Sequence, residues 1–499
     1  MTTTVSREPL APTGTIESFR FAFSSAARLR TEILAGLVVA LALIPEAISF
    51  SILAGVDPRV GLFASFVMAV TIAFTGGRPA MISAATGAVA VVIAPVARDY
   101  GLDYFFATVL LAGIVQLVLA GLGVAKLMRF IPRSVMIGFV NALAILIFLA
   151  QLPHLIGVSW LVYPLVALGI AIMVLFPRVS QAVPAPLVAI VVITAIVLVT
   201  GWHVPNVHDQ GELPGTLPEF LLPDVPLTLE TLRIIGPYAV AMALVGLMES
   251  LMTAKLVDEI TETHSNKTRE SLGQGVANVL ASLFGGMGGC AMIGQTMINV
   301  RASRARTRLS TLLAGIFLLI LVVTLGDIVG LIPMAALVAV MVMVSVGTMD
   351  WRSLRMLPIM PLSETAVMLT TVVATLATHN LAVGVVLGST AAMVMFARRV
   401  AHLVYVDSKV DGDTITYFVH GQLFFASSNE LVYCFDYHTE ASNVVVDLSH
   451  AEIWDASTIA TLDSITSKFE AKGKHVAVVG MGDISQQRFN RLAGQLGGE

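Results

Sequence analysis

Between positions 32 and 397 the chain alternates apolar blocks with short polar breaks. A helix that crosses a bilayer needs roughly 20 mostly apolar residues, because no water is present to satisfy its backbone. Fourteen blocks follow or approach that pattern: 32–53, 60–75, 81–97, 104–122, 134–151, 159–176, 186–201, 234–254, 272–286, 291–300, 309–325, 331–347, 364–378 and 381–397. The blocks 81–97 and 291–300 are too short to cross alone and are broken by Gly87 and Gly294. Short, interrupted segments at corresponding places in two halves point to a transporter site.

From about 402 the pattern changes. Asp413–His420, Asn443–Asp447 and His475–Gly480 alternate or run apolar as strands do, and 427–440, 456–472 and 483–496 have helical periodicity. This β-α-β-α-β-α order predicts a small α/β domain with a partly parallel sheet. The chain therefore divides into a lead-in, 1–30, a membrane domain, 31–400, and a polar domain, 401–499. Met1 to Arg30 has no signal-peptide pattern, so the first span is expected to act as the insertion signal.

Composition sharpens the division. Of 499 residues 56% are apolar and 12% charged, with a mean hydropathy of +0.86, whereas about a quarter of a soluble protein is charged. Residues 1–400 carry 23 Lys/Arg and 20 Asp/Glu, and residues 401–499 carry 6 and 13, so the net charge of −4 is +3 and −7. Neither part has the basic excess that nucleic acid would need. Cys290 and Cys434 lie in such different surroundings that neither a disulfide nor a metal site is expected.

Counted from Arg28 on, fourteen spans with the N-terminus inside put 18 Lys/Arg on the cytoplasmic side and leave Arg59, Arg98 and Arg233 outside, a strong positive-inside bias. The run Arg301, Arg304, Arg306 and Arg308 then reads as a cytoplasmic loop. The loop 202–232, acidic and free of Lys and Arg, suits the outer face; its His203 and His208 lack a third partner for a metal.

An acidic residue within a span is a functional-site hypothesis by default. Glu46 falls in the first span and Glu249 in the eighth. Two spans after each comes the same tripeptide, Ala80-Met81-Ile82 before Thr86-Gly87 and Ala291-Met292-Ile293 before Gly294-Gln295-Thr296. Seven spans followed by seven insert in opposite orientations, so the halves form an inverted repeat. Two short helices would then aim their N-termini at one another across a cavity, a ready anion site. The competing readings are close helix packing for Gly87, Gly294 and Thr86, and a structural hydrogen bond for Glu46 beside Pro45.

The stretch Pro45-Glu46-Ala47-Ile48-Ser49-Phe50, with Gly55-Val56-Asp57-Pro58 and Gly61-Leu62-Phe63-Ala64-Ser65-Phe66, resembles the signature of the sulfate permease family of anion transporters, which includes solute carrier family 26. Phe284-Gly285-Gly286 with Thr296 and Asn299, and Ile332-Pro333-Met334, add to it. The tail, with Val419-His420-Gly421, Val446-Asp447-Leu448-Ser449 and Asp455-Ala456-Ser457, resembles the STAS domain. The resemblance implies a polytopic helical membrane protein of fourteen spans in a seven-plus-seven inverted repeat, with core and gate domains, a cytoplasmic STAS domain and a homodimer as the usual state. It implies no cofactor. The implied substrate site is Glu46, Phe50, Thr86, Gly87, Gly294, Gln295 and Thr296, with Glu46, Glu249 and Thr253 as candidates for ion coupling. The family often has Gln where Glu46 stands, and many animal members have Arg where Gln295 stands. The position phosphorylated in stand-alone antagonist domains is here Ala456, which has no hydroxyl.

The expected function is a secondary transporter of a small inorganic anion or dicarboxylate, working by alternating access and coupled to protons. Sodium coupling or anion exchange, a nucleobase–cation symporter of similar architecture, and a membrane-anchored STAS signalling protein are the alternatives. No nucleophile motif, phosphate loop or metal spacing points to an enzyme.

Overall fold

A computed structural model describes residues 12–123, 131–179, 184–378, 380–401 and 404–492. The chain divides into two compact units, Met1–Ser389 and Thr390–Glu499. The first begins with α1 (Thr15–Ala22), α2 (Ala26–Ala54), α3 (Pro58–Thr75), the strand β1 (Ser83–Ala84), α4 (Gly87–Tyr100), α5 (Leu102–Gly121), α6 (Arg133–Leu149), α7 (Val162–Leu175) and α8 (Ala185–Thr200). After the acidic loop come α9 (Leu229–Thr261), α10 (Lys267–Leu283), the strand β2 (Cys290–Ala291), α11 (Ile293–Met297), α12 (Arg308–Gly330), α13 (Met334–Thr348), α14 (Trp351–Met356), α15 (Leu362–Thr378) and α16 (Leu381–Ala401), which runs on into the second unit.

Each of the fourteen apolar blocks contains a helix. Among the described residues seven are long and apolar enough to cross a membrane, namely α2, α3, α5, α6, α9, α12 and α16, and α7, α8, α13 and α15 are apolar but shorter. The two interrupted blocks differ from the sequence reading in one instructive way. Block 81–97 opens as extended chain, and helix begins only at Gly87. Block 291–300 opens as β2, forms one α-helical stretch to Met297 and continues as a π-helical turn, Ile298–Ala302. The strands pair antiparallel, Ser83 with Ala291 and Ala84 with Cys290, as two halves of opposite orientation require. The repeated tripeptide is out of step with this pairing: Met81-Ile82 precedes its strand, whereas Met292-Ile293 follows its own.

Non-helical backbone at membrane depth must find partners in the protein. Side chains supply many of them. Asn278 accepts from Gly289 N (2.8 Å) and donates to Gly289 O (3.1 Å), and Gln116 Oε1 holds the same Asn278 amide at 2.8 Å. The Ser250 hydroxyl accepts from Ala291 N at 3.0 Å, and Asn299 donates to Ala80 O at 2.8 Å.

Among the described residues two cations of the loops are buried, Arg78 and Arg308. Arg308 is 1% exposed and donates to Ala73 O and Thr13 O, which ties it to the segment leading into α1. Glu32, also 1% exposed, accepts the backbone N–H groups of Arg306, Thr307 and Ser310 at 2.9–3.3 Å and so caps α12 with a carboxylate from α2. A buried donor left unsatisfied costs about 1–3 kcal/mol. Glu32→Ala should therefore lower the midpoint of thermal unfolding in detergent; a variant that melts with the parent would show that water already serves those donors.

The second unit carries a four-stranded sheet in the order β3 (Tyr405–Asp411), β4 (Thr414–Leu423), β5 (Asn443–Ile453), β6 (His475–Val479). The β4–β5 and β5–β6 pairs are parallel, as the alternation of strands and helices predicts. Strand β3 is a correction: it is an antiparallel edge, turned into β4 through Gly412 in the left-handed region. Its Asp407, Ser408 and Lys409 break any apolar face, so a hydrophobic pattern cannot reveal it. The helix expected over 427–440 is only α17 (Phe425–Leu431) with a short 3-10 turn after it. Those over 456–472 and 483–496 are α18 (Ala456–Glu470) and α19 (Asp483–Leu492), with 493–496 outside the described residues. Val419, Val446, Ile459, Ile465 and Phe469 form the core. Asp447 accepts from Ser449 Oγ (2.5 Å) and Ser449 N (2.8 Å), which holds its carboxyl below the usual range. Ala456 opens α18 behind Asp455, which caps Thr458 N at 3.1 Å.

Candidate functional site

The strand pair sets two helix starts against one cavity. Thr86 caps α4 by accepting from Val89 N at 3.5 Å, and α4 leaves the strand pair from there. The start of α11 leaves it from the other half of the chain. Between them lies a cavity of about 340 Å³ lined by Thr86, Gly87 and Ala88 on one side and Met292 to Gln295 on the other. The first N–H groups of a helix have no partner within it and carry part of the helix dipole, so such starts favour negative charge.

The long helices α2 and α9 pack on α4 and bring a carboxylate each to the cavity. Glu46 is 9% exposed and shares the cavity lining with Gln295. Glu249 Oε2 accepts from the Cys290 thiol at 2.9 Å. The same sulfur lies 3.1 Å from Thr86 Oγ1. Phe50 closes one wall, and a Cβ at Gly87 would stand 2.8 Å from its ring, so only glycine fits there. A Cβ at Gly294 would meet nothing within 4 Å, so that glycine leaves open space.

Glu46, Phe50, Thr86, Gly87, Glu249, Gly294 and Gln295 thus line one cavity. Thr296 and Thr253 do not line it. Thr296 Oγ1 accepts from Ile82 N at 3.0 Å, and Thr253 Oγ1 donates to Glu249 O (2.8 Å) and Ala291 O (3.5 Å), so both tie the strand pair to its helices. The sequence reading set Cys290 aside, although it touches both halves of the site. It also gave no sign of the opposite wall, which Phe139, Leu143 and Ile147 of α6 and Val344 and Thr348 of α13 supply. An apolar wall residue has no signal beyond that of any apolar helix.

Among the described residues the lining holds two ionisable groups, Glu46 and Glu249, and no Lys, Arg or His. A small anion could accept hydrogen bonds from the helix starts and Thr86, but with both carboxylates ionised it would meet their repulsion.

Comparison with known proteins agrees with this architecture. The sulfate permease family matches residues 29–165 and 160–372, and the STAS domain matches 405–494. The chain is 51% identical over 465 residues to a Bacillus subtilis protein named "Putative sulfate transporter YbaR", covering 93% of this chain and 97% of that one. It is 28% identical over 359 residues to the bicarbonate transporter BicA of Picosynechococcus sp., covering 66% and 63%. The solved transmembrane domain of a cyanobacterium bicarbonate transporter BicA superimposes with a TM-score of 0.64 at 26% identity, over 74% of this chain and 98% of that one. Murine Slc26a9, an anion transporter solved in the inward-facing state, superimposes with a TM-score of 0.80 over 98% and 92%; at 15% identity the likeness is one of fold. With family matches running from residue 29 to 372 and again from 405 to 494, on a multi-pass helical membrane fold that these structures share, the chain belongs to the sulfate permease family and ends in a STAS domain.

Proposed function

We propose that this protein is a secondary transporter that carries a small anion through the cavity by alternating access, together with protons. The observation that supports this most is the charge of the lining: among the described residues it holds two carboxylates and no fixed cation. An anion entering a negatively polarised cell is opposed by about 2.3 kcal/mol per charge per 100 mV. A proton carried on Glu46 removes a charge from the cavity and offsets that cost. Protons fit better than sodium, because Glu249 is hydrogen bonded to a thiol, a soft group that hard cations avoid.

The substrate class follows from the site and from the relatives. A cavity of about 340 Å³ with hydrogen-bond donors at two helix starts suits sulfate, bicarbonate or a small dicarboxylate. The names of the relatives, sulfate and bicarbonate transporters, support an inorganic oxyanion. We further propose a division at 31–400 and 401–499, cytoplasmic termini and a homodimer, which the family membership supports.

The test is uptake of labelled sulfate and bicarbonate into proteoliposomes under an imposed gradient. An inward proton gradient should stimulate uptake with no sodium present. Glu46→Gln should remove the stimulation while preserving some exchange. Uptake driven by sodium alone, with Glu46→Gln behaving like the parent, would overturn proton coupling.

A further inference from the structure

Thr86, Cys290 and Glu249 form a continuous chain of hydrogen-bonding atoms that begins at the anion side of the cavity and ends at a carboxylate. The distances are 3.1 Å from Thr86 Oγ1 to Cys290 Sγ and 2.9 Å from that sulfur to Glu249 Oε2. Thr86 and Cys290 are buried, at 2% and 0% exposure, so water does not replace either partner. Val89 N takes one lone pair of the Thr86 oxygen at 3.5 Å, which leaves one hydrogen-bonding position of the hydroxyl for the cavity. We propose that Cys290 is a positioning residue that couples the protonation of Glu249 to the hydrogen-bonding character Thr86 presents to the anion. This rests on the proton-coupled reading above and gives the second carboxylate a role in it.

The argument is one of proton counting. A thiol and a hydroxyl own one proton each, and an ionised carboxylate owns none. With Glu249 ionised, the Cys290 proton points at Glu249. Thr86 can engage the sulfur only by donating to it, and so has no proton for the cavity. With Glu249 protonated, its O–H donates to the sulfur, and the thiol turns its proton to Thr86 Oγ1. The Thr86 hydroxyl proton is then released toward the cavity, where an anion accepts it. One proton is added at Glu249, and the other two only rotate; no covalent bond to sulfur or carbon changes. By reciprocity, a bound anion favours the protonated form of Glu249 by the same factor.

Among the described residues no other titratable group competes along this path. Besides Cys290 on β2, the titratable side chain facing Glu249 across the cavity is Glu46 of α2; the lining residues from α4, α6, α11 and α13 include none. The helices α5 and α10 also pack on α9, but Asp103 accepts from Asp224 N, and Glu270 accepts from Gly77 N and Arg78 N. A sulfur suits this position because it accepts from one side while donating to the other. Serine keeps both abilities, and alanine keeps neither.

The experiment measures KM for labelled sulfate and for bicarbonate in proteoliposomes at acidic and alkaline external pH, in the parent, Cys290→Ala and Cys290→Ser. One hydrogen bond to a charged partner is worth roughly a ten- to hundredfold change, so the parent KM should fall by about that much on acidification. Cys290→Ala should take up anion more weakly, with a clearly smaller fall in KM on acidification than the parent because only the charge relief at the two carboxylates remains, and Cys290→Ser should restore the full pH dependence. A parent that responds to pH beside a Cys290→Ala variant with the same response overturns the relay and leaves proton coupling standing. A parent whose KM ignores pH for both anions overturns both. The S–H stretching band, recorded by infrared spectroscopy in the full chain with Cys434→Ser so that only Cys290 contributes, gives a second readout. It should shift with pH, and Glu249→Gln should freeze it; a band that ignores pH in the presence of Glu249 overturns the relay whether or not Cys290→Ala folds.

Discussion

Gln295→Asp is expected to abolish uptake of sulfate and bicarbonate at neutral pH while leaving the protein folded and in the membrane. Gln295 is 3% exposed and lines the cavity together with Glu46. Asp there trades a donor for a negative charge beside an existing carboxylate. Two charges about 4 Å apart at an effective dielectric of about 20 repel by roughly 4 kcal/mol, close to a factor of a thousand. The substrate would meet that repulsion together with the lost donor. Thr86→Asp tests the opposite helix start, since Asp is as good an N-cap as Thr and the start of α4 should survive. Size-exclusion profiles in detergent would establish folding, and uptake into proteoliposomes would read function. Full uptake in either folded variant would move the anion away from the helix starts.

Gly289→Ala should have a comparable effect by another route, by preventing the site from assembling. A Cβ at Gly289 would stand 1.9 Å from Ala84 O and 2.6 Å from Ala84 C, and both are backbone atoms of β1 that cannot turn aside. The strand pair would have to open. Overpacking in a core typically costs 1–3 kcal/mol, and a contact between two backbones belongs at or above about 3 kcal/mol. The Asn278 amide, which holds Gly289 on both its N–H and its C=O, would lose its geometry as well. The expected result is a protein that melts well below the parent and transports neither anion. Parent-like melting would mean that β1 and β2 can separate without loss, and the pair could then not be what aligns α4 and α11.

Much of this architecture was legible because the bilayer imposes a simple rule. Apolar blocks of the right length announced the helices, and Gly87 and Gly294 marked the interrupted ones. What the rule cannot register is the conformation inside an interruption. Ser83-Ala84 and Cys290-Ala291 form strands only because each finds the other some two hundred residues away, and no local propensity records that. The tripeptide that suggested the symmetry is offset between the halves, so the symmetry was inferred from the right spans through residues that are not equivalent. Glu46 and Glu249 stand out because charge is costly in lipid, whereas Cys290, weighed only as a partner for Cys434, has neighbours that the sequence does not reveal. Thr253 and Thr296 are ligands only by the family resemblance; in the structure their hydroxyls hold backbone. Strand β3 escaped for the converse reason: an exposed edge made of Asp407, Ser408 and Lys409 has no apolar face to read.

The pairing of Ala84 with Cys290 also has a consequence for synthesis. Cys290 follows Ala84 by 206 residues. At about 5–20 residues per second, β1 waits roughly 10–40 s for its partner strand. Through that interval the first half sits in the bilayer with an open strand edge and an acidic residue whose eventual neighbour, Gln295, does not yet exist. Unpaired backbone at that depth has to be covered by water, by an insertion factor or by a neighbouring chain. The slowest and most exposed moment in making this transporter therefore falls before its second half emerges, and variants that weaken β2 should be recognised by quality control as unfinished chains rather than as damaged ones.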